Sequence, residues 1–344
     1  MPKVKVGFVG VGFMGQLAHL SQYVRWPELC DVVAISDLRY EMANEVGRRY
    51  GIPNVYRSHK EMFANEKLDA VVAPQPYGHH RAIIPEVLKE KIPLFTEKPL
   101  ALSVEAGQEL VDLAAKDNIL YMVGYHKRSD PAMEYAKMKV RDWQKTGVAG
   151  KMRMVRVQMP PGNWVSGAPA MVLTEEPYPP IVRETTVPGF DEEHATAYDV
   201  FVNYYIHQVN ALRFFLGDIS LSYADPSGVM LAVHNQEGVC GSLEMATYNT
   251  SNDWQEKVFI GFEKGYIKVD LTPPLADRNA SRITIMEDYA QQIITQPILP
   301  PLSAMTNQAR NFLLAVRGER PAPCIAAEAV KDLQLARDYI RMLG

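Results

Sequence analysis

The stretch VGFVGVGFMGQLAHL, residues 6–20, decides the fold of the first part of this 344-residue chain. It places Gly10-x-Gly12-x-x-Gly15 between an apolar strand and a segment with helical spacing, and in that context the pattern is typical of dinucleotide binding. Gly10 permits a tight turn, Gly12 lets a pyrophosphate approach the backbone, and Gly15 lets the helix pack closely on the strand. Free N–H groups and the helix dipole would then hold the negative charge.

The second apolar segment, DVVAISD, ends in Asp37, 22 residues after Gly15. A carboxylate there can accept both ribose hydroxyl protons of an adenosine and would repel a 2′-phosphate, so the sequence favours NAD over NADP. Arg39 opposes that preference, because an arginine nearby can hold a 2′-phosphate. The alternative is a glycine-bearing turn with an N-capping aspartate in a fold that binds another ligand. Two further candidates for cofactor contact, Phe13 and Met14, lie inside the glycine loop.

Short apolar strands alternate with amphipathic helices from residue 3 to about 127, which predicts βαβ units and a doubly wound parallel sheet. Beyond GYHKRSDP (124–131), strands follow one another without long helices, which predicts a mostly antiparallel open sheet. Helices are the exception there, expected over 133–147, 197–217, 304–317 and 326–342. We therefore expect a Rossmann domain over 1–127 and an α+β domain over 128–344.

The periodicity also predicts individual elements. The strands are predicted over 4–10, 31–37, 68–74, 92–96, 119–125, 151–159, 219–226, 228–235, 239–248, 254–270 (with a hairpin turn at EKG) and 281–287. The helices of the first part are predicted over 15–26, 40–51, 79–91 and 103–118, the last with Ser103 as its N-cap.

Composition excludes several classes of protein. The net charge is −4 with no dense Lys/Arg run, which argues against nucleic acid or an anionic membrane as partner. Three scattered cysteines without a C-x-x-C pair argue against a disulfide framework or structural zinc and favour a reducing cytoplasm. The sequence begins in a strand without a signal-peptide pattern, and no apolar run approaches the roughly 18 residues of a membrane helix. The eight histidines show no metal-ligand spacing, so we expect no metal.

A charged motif ends a strand in IPLFTEKPL, residues 92–100. Ligands bind at the carboxyl ends of strands in doubly wound sheets, and Glu97 and Lys98 follow such a strand. Pro99 restricts Lys98 to an extended conformation, so the ammonium group has a set direction. Burial beside a nicotinamide would lower the pKa of Lys98, Glu97 could keep it charged, and the ammonium could stabilise a developing negative charge on a substrate oxygen. The alternative is a solvated turn.

The chain resembles the Gfo/Idh/MocA family (glucose–fructose oxidoreductase, inositol dehydrogenase and the rhizopine-catabolism protein) over nearly its whole length. The resemblance is carried, in family order, by the glycine loop, LDAVVAPQPYGHH, TEKPL, GYHKRSDP, the helix around His207 and NFLLAVRGERPAPCIAAEAV. It implies a Rossmann domain followed by a mostly antiparallel sheet, with catalysis between them. It also implies that Lys98 is the catalytic lysine and that the Lys98–Pro99 peptide bond is cis.

Other residues match the family one at a time. His80 lies 17 residues before Glu97 and matches a histidine near the cofactor, although it could equally be the first turn of a helix. His126 stands where members usually carry Asn or Gln at the nicotinamide end, where it would contact cofactor and substrate. The resemblance also implies cofactor contact for Gln75, Glu97 and Lys98.

The family helix usually reads Asp-x-x-x-His, and here the pair is Asn203 and His207. Positions i and i+4 share one helix face. We expect His207 to act as general acid/base and Asn203 to orient the substrate, because an asparagine cannot supply the charge that would raise the basicity of His207. The alternative is that His207 has a purely structural role, with its ring hydrogen-bonded within its own helix. Three tyrosines of the same segment could substitute or be plain core: Tyr198, Tyr204 and Tyr205.

Residues 160–196 contain seven prolines and form an irregular segment longer than most connections, which is typical of functional or disordered loops. Trp164 could cover a sugar ring, and Arg183 could bind oxygens in pairs. Both could equally fix the loop or a subunit interface.

These patterns together predict an NAD-dependent dehydrogenase acting on a secondary hydroxyl of a sugar, polyol or glycoside, as a homodimer or homotetramer built on the antiparallel sheet. One alternative is an enzyme that keeps its NAD bound and cycles it through a keto-sugar intermediate, as in glycoside oxidation and elimination. Another is a non-catalytic NAD-binding protein on the same fold, against which Lys98 and His207 argue.

Overall fold

The computed structural model of the chain describes residues 2–160, 162–246, 253–277 and 279–344. The chain divides into two compact units that are each discontinuous in sequence. The first unit comprises Met1–Tyr125, Pro169–Ala195 and Gln308–Leu333, and the second comprises His126–Ala168, Thr196–Asn307 and Gln334–Gly344. The predicted boundary after residue 127 lies close to the first of these breaks.

The first unit contains a six-stranded parallel sheet in the order β3-β2-β1-β4-β5-β6. This is the doubly wound order, in which ligands bind where the direction of winding reverses, next to β1 and β4. The strands are β1 Val4–Val9, β2 Cys30–Ser36, β3 Asn54–Tyr56, β4 Ala70–Ala73, β5 Leu94–Thr96 and β6 Tyr121–Val123. The predicted Rossmann sheet is confirmed, and only β3 was missed, because three half-buried edge residues are too few to show a period.

Helices connect these strands, four of the five where the periodicity predicts them. Helix α1 begins with a π-helical segment, Gly15–Leu20, and continues as Ser21–Tyr23; the others are α2 Tyr40–Tyr50, α3 His59–Asn65, α4 His80–Leu88 and α5 Val104–Lys116. Helix α3 was missed. The hydroxyl of Ser103 accepts a hydrogen bond from the backbone N–H of Ala106 at 3.1 Å, which confirms the predicted cap of α5.

The core of the first unit includes residues distant in sequence. Phe8 and Phe95 are fully buried in the sheet, and Phe312 packs on Phe95 with ring centroids 5.7 Å apart. Val172, from the segment predicted as irregular, belongs to the same buried cluster. The chain beyond the parallel sheet therefore completes the core of the dinucleotide-binding fold.

The second unit contains an eight-stranded sheet in the order β14-β13-β12-β11-β7-β10-β9-β8. Adjacent strands in this sheet are antiparallel, except for the parallel pair β7 and β10. This arrangement confirms the prediction of a mostly antiparallel sheet. The strands are β7 Met152–Gln158, β8 Ile219–Ala224, β9 Met230–Asn235, β10 Cys240–Glu244, β11 Glu256–Phe262, β12 Gly265–Leu271, β13 Arg282–Asp288 and β14 Gln292–Thr295. The predicted strand 239–248 includes positions 247 and 248, which lie outside the described residues. Strand β14, in which every residue is exposed, was missed.

The remaining helices are α6 Pro131–Thr146, α7 Glu192–Tyr204, α8 Ile206–Leu216, α9 Ala304–Val316 and α10 Ala326–Leu343. The single helix predicted over 197–217 is wrong in two respects, since the helical segment starts at Glu192 and is interrupted at Tyr205. The N–H of Tyr205 donates to the carbonyl of Phe201 at 2.7 Å, and its own carbonyl accepts from the N–H of Gln208 at 3.0 Å. Tyr205 thus closes one helix and opens the next, so the apolar period hardly changes.

In the part of the chain that the structure describes, no helix combines the length and the apolar character needed to cross a bilayer.

The buried position of Phe312 yields a stability prediction for the first unit. Phe312→Ala should lower the free energy of unfolding by about 3–5 kcal/mol, because it removes a fully buried ring and leaves a cavity. Leu113→Ala removes a side chain that is 41% exposed in the same unit and should change it by about 0.5 kcal/mol or less. Urea unfolding of the two variants checks this, and equal losses would contradict the packing described.

Candidate functional site

The glycine loop between β1 and α1 has no room for a side chain at Gly10 or Gly15. Gly10 has φ +95°, a conformation that L side chains rarely adopt. A Cβ on Gly15 would lie 2.7 Å from the carbonyl oxygen of Gly10, so the start of the helix contacts the turn directly. Phe13 is exposed and Met14 half-buried at the tip of this loop. The close approach expected from the motif is present.

Asp37 follows β2 and turns its carboxylate towards the glycine loop. Its Oδ2 accepts a hydrogen bond from the N–H of Val11 at 2.9 Å, and its Oδ1 accepts from the N–H of Arg39, also at 2.9 Å. A carboxylate has about four lone-pair sites, so each oxygen can still accept from a ribose hydroxyl. The half-buried Asp37 therefore remains suited to the predicted role.

Gln75 and His80 tie the chain after β4 to its neighbours. The side-chain amide of Gln75 donates to the carbonyl of Val9 at 2.5 Å. The ring of His80, the first residue of α4, faces the carbonyls of Leu100 at 2.8 Å and Gln75 at 3.0 Å. Burial lowers the pKa of His80, and this effect outweighs the contacts with the two carbonyls, which favour the protonated ring and raise the pKa. His80 thus holds the strand ends around the site.

Glu97 is buried, and its carboxylate bridges two elements. Its Oε1 accepts a hydrogen bond from Nε2 of His19 in helix α1 at 2.7 Å. Its Oε2 accepts from the backbone N–H of Lys98 at 2.9 Å. Burial by itself would raise the pKa of Glu97, but the His19 hydrogen bond and the charges of His19 and Lys98 outweigh it and hold the pKa below its ordinary value. The carboxylate therefore fixes the backbone of Lys98 as well as lying near its charge.

Lys98 leads out of β5 through a cis peptide bond to Pro99, as the resemblance implies. The lysine is half-buried, whereas Pro99 is buried. With its N–H held by Glu97 and its carbonyl followed by a proline ring, Lys98 has a defined backbone from which its ammonium group extends.

In the second unit, His126 and His207 lie in ring contact, with centroids 4.3 Å apart at 73°. His126 is buried and borders a small cavity together with Lys127 and Asp130, while His207 is half-buried in the first turn of α8. Asn203 is exposed and belongs to α7, on the other side of the interruption at Tyr205. The predicted i, i+4 pair therefore does not lie on one continuous helix.

A buried polar network supports this histidine pair. The ammonium group of Lys127 lies 2.5 Å from a carboxylate oxygen of Glu256, and the amide of Gln208 donates to the other oxygen at 2.6 Å. Lys127 and Gln208 directly follow His126 and His207 in sequence, so Glu256 couples the two segments. Breaking one partner of a buried pair like this is strongly destabilising.

The two candidate residues of the irregular segment belong to different units. Trp164 is 38% exposed in the second unit, where its carbonyl accepts from the N–H of Leu275 at 3.3 Å. Arg183 lies in the first unit and packs on Gly78, where a Cβ would approach its Cγ to 2.9 Å. Their contact with a substrate stays a prediction.

Sequence reasoning missed His19, Gln208 and Glu256. His19 stands four residues after Gly15, and its place in the helix that the glycine loop opens was the available signal. Glu256 gave a weaker signal, as a single acidic residue opening an apolar strand, because its partners are distant in sequence.

The residues of the first unit fit a dinucleotide. The turn at Gly10 and Gly15 is too close for a Cβ, as the dinucleotide-binding motif requires, and Asp37 keeps acceptor capacity for a ribose. No group of three or more His, Cys, Asp or Glu that could hold a metal occurs within the described ranges, and the expectation of no metal stays a prediction.

Comparison with known proteins agrees with this geometry. Residues 4–125 match the Gfo/Idh/MocA family model, described as an oxidoreductase family with an NAD-binding Rossmann fold. The myo-inositol 2-dehydrogenase of Thermotoga maritima is 21% identical over 71% of this chain and 63% of its own length. The inositol 2-dehydrogenase/D-chiro-inositol 3-dehydrogenase of Lacticaseibacillus casei is 31% identical over 44% of this chain and 43% of its own length. The chain thus spans less than two thirds of either relative.

A solved levoglucosan dehydrogenase, in complex with NADH and levoglucosan, shares the fold with a TM-score of 0.75 at 17% identity, covering 99% of this chain and 97% of that one. Over residues 4–125 the chain is thus similar to the NAD-binding Rossmann domain of the Gfo/Idh/MocA oxidoreductase family.

The lowered pKa of Glu97 yields a pH prediction. A carboxylate whose pKa is depressed by folding stabilises the protein above its unfolded pKa, about 4.3, and that stabilisation is lost as pH falls through the lower folded value. The difference in unfolding free energy between the wild type and Glu97→Gln should therefore shrink as pH falls below about 4.3. Urea unfolding at several pH values measures it. The exposed control Glu90→Gln should show a small difference, and a difference for Glu97→Gln that stays constant with pH would refute the assignment.

Proposed function

We propose that the protein is an NAD-dependent dehydrogenase that transfers hydride between the nicotinamide cofactor and a secondary hydroxyl of a sugar, polyol or glycoside. The observation that carries this proposal is Lys98, whose backbone is fixed by the buried Glu97 at the carboxyl end of a strand in an NAD-binding Rossmann fold. Such strand ends surround the ligand in doubly wound sheets. The substrate class is supported by relatives named for inositols and by a structural neighbour solved with levoglucosan.

In this reaction the residues of the chain would have the following roles. The glycine loop and the start of α1 hold the pyrophosphate through backbone N–H groups, and Asp37 holds the adenosine ribose. Lys98 donates a hydrogen bond to the substrate oxygen and stabilises the negative charge that develops there. His207 accepts the hydroxyl proton as general base. When bound, NAD supplies the hydride acceptor, so the alcohol loses one proton and one hydride and becomes a ketone.

Further residues would complete the site around these groups. The proposed additional cofactor contacts are Phe13, Met14, Arg39, Gln75, His80, Glu97 and His126, and the proposed additional substrate contacts are His126, Trp164, Arg183 and Asn203. His126 is assigned to both because its ring already touches His207.

Absorbance at 340 nm across a panel of sugars, inositols and glycosides tests the activity, with NAD and NADP in parallel. We expect NADH to appear with NAD and at least one member of the panel. Substrate consumption without NADH release would instead indicate an enzyme that keeps and recycles its NAD. Cofactor binding without turnover of any compound would favour a non-catalytic NAD-binding protein.

The two proposed catalytic side chains can be removed separately. Lys98→Ala and His207→Ala should each lower kcat by at least about 100-fold, the usual contribution of a positioned charge or general base. Circular dichroism should show that both variants stay folded. Lys89→Ala, which removes an exposed lysine on the same unit, should leave kcat unchanged. A wild-type kcat in Lys98→Ala would contradict the proposed mechanism.

We also propose a homodimer or homotetramer built on the second sheet. Val155 and Val157 of β7 are buried on the face that packs against α8, whereas Met154 and Arg156 point to the other face and are exposed. Light scattering on the purified protein should give a mass of two or four chains. Met154→Lys should shift that mass towards one chain, and a monomeric wild type would contradict the proposal.

A further inference from the structure

The segment 172–184, which sequence reasoning left irregular, is fastened to the dinucleotide-binding unit at its start. Gln16, in the first turn of α1, forms a pair of hydrogen bonds with Val172. Its side-chain oxygen accepts from the N–H of Val172 at 2.8 Å, and its amide donates to the carbonyl of Val172 at 3.2 Å. Both residues are buried. This end of the segment is therefore anchored beside the glycine loop.

The other end of the segment is fastened near α4 and α5. The N–H of Glu184 donates to the carbonyl of Gly78 at 2.8 Å, and the hydroxyl of Ser103 donates to the Glu184 carboxylate at 3.1 Å. The ring of His79 contacts the carbonyl of Val182 at 2.9 Å. With both ends held, the residues between them have restricted positions on this unit.

Between the anchors, Glu176 caps a helix that lacks a cap of its own. Arg39 occupies the N-cap position of α2 and makes no side-chain capping hydrogen bond. The Glu176 carboxylate instead accepts from the N–H of Met42 at 3.1 Å and, at the limit of hydrogen bonding, from the N–H of Glu41 at 3.5 Å. A negative charge at this end of a helix is stabilised by the helix dipole.

The arginine next to this helix start is engaged as well. The guanidinium group of Arg39 lies 4.6 Å from the ring centroid of Tyr178, two residues after Glu176. Its Nε is 3.7 Å from the carboxylate of Asp37. Arg39 thus lies between the aspartate expected to bind the ribose and an aromatic ring of the segment.

These groups form the place where a 2′-phosphate would bind. Asp37 is the residue expected at the ribose 2′-hydroxyl, and a phosphate on that oxygen would be held by a nearby arginine and by the N–H groups at a helix start. Both kinds of donor are present, in Arg39 and the first turn of α2. We propose that Glu176 occupies this anion position with its own carboxylate and so makes the site selective for NAD over NADP.

The negative charges of Asp37 and Glu176 would then repel the 2′-phosphate of NADP. NAD carries a hydroxyl at that position, which can donate a hydrogen bond to Asp37. The inference rests on NAD binding by the Rossmann domain and is independent of the substrate and reaction proposed above. Removal of the Glu176 charge should leave Arg39 and the N–H groups of α2 able to accept the phosphate.

The test is the ratio of dissociation constants, Kd(NADP)/Kd(NAD), measured by displacement of NADH fluorescence at fixed ionic strength. In Glu176→Gln and Glu176→Ala the ratio should fall by at least about tenfold, which corresponds to about 1.4 kcal/mol. Because each ratio is taken on one protein sample, partial unfolding of a variant affects both constants equally. Absence of dehydrogenase activity in every assay would leave this ratio unaffected.

Glu175→Gln is the matched control. Glu175 is an exposed neighbour of Glu176, so its replacement changes the net charge of the segment equally. Its ratio should stay at the wild-type value. A ratio unchanged in both Glu176 variants, or shifted as strongly in Glu175→Gln, would overturn the proposal.

Discussion

The contact between His19 and Glu97 is the constraint on which the arrangement of the dinucleotide-binding unit depends. It joins the helix that follows the glycine loop to the end of β5, through a hydrogen bond of 2.7 Å between two buried side chains. The second oxygen of Glu97 holds the N–H of Lys98. One carboxylate therefore links the element proposed to bind the phosphates to the residue proposed to act on the substrate. Burying a carboxylate costs free energy, and removing its partner would leave a buried charge unpaired. The hydrogen bond between His19 and Glu97 therefore holds the two elements in one geometry.

Similar links, made by side chains to backbone groups, hold the rest of the sheet edge. Gln75 joins the end of β1 to the chain after β4, and His80 joins that chain to Leu100 beyond the proline. The Gln75 amide satisfies the carbonyl of Val9 at the end of β1, and buried polar groups need such partners. The edge of the sheet is thereby prepared for a ligand. The histidine pair of the second unit rests on a comparable buried network around Glu256.

The sequence allowed prediction of what local patterns encode. The period of apolar residues predicted five of the six parallel strands, and Gly10, Gly15 and Asp37 have the geometry expected from their motif. Patterns failed where tertiary contacts decide the outcome. The interruption at Tyr205 leaves the helical period nearly intact, and β14 has only four residues, all of them exposed, so the pattern of apolar residues reveals neither feature. The capping of α2 by Glu176 joins residues more than 130 positions apart, which no local spacing can reveal.

A crystal structure of the protein with NAD bound tests the central claim most directly. The account predicts that the Lys98 ammonium group faces the nicotinamide ring while Glu97 keeps its hydrogen bonds to His19 and to the Lys98 backbone. An ammonium group that points into bulk solvent away from the nicotinamide, or a Glu97 that releases His19 when NAD binds, would contradict it.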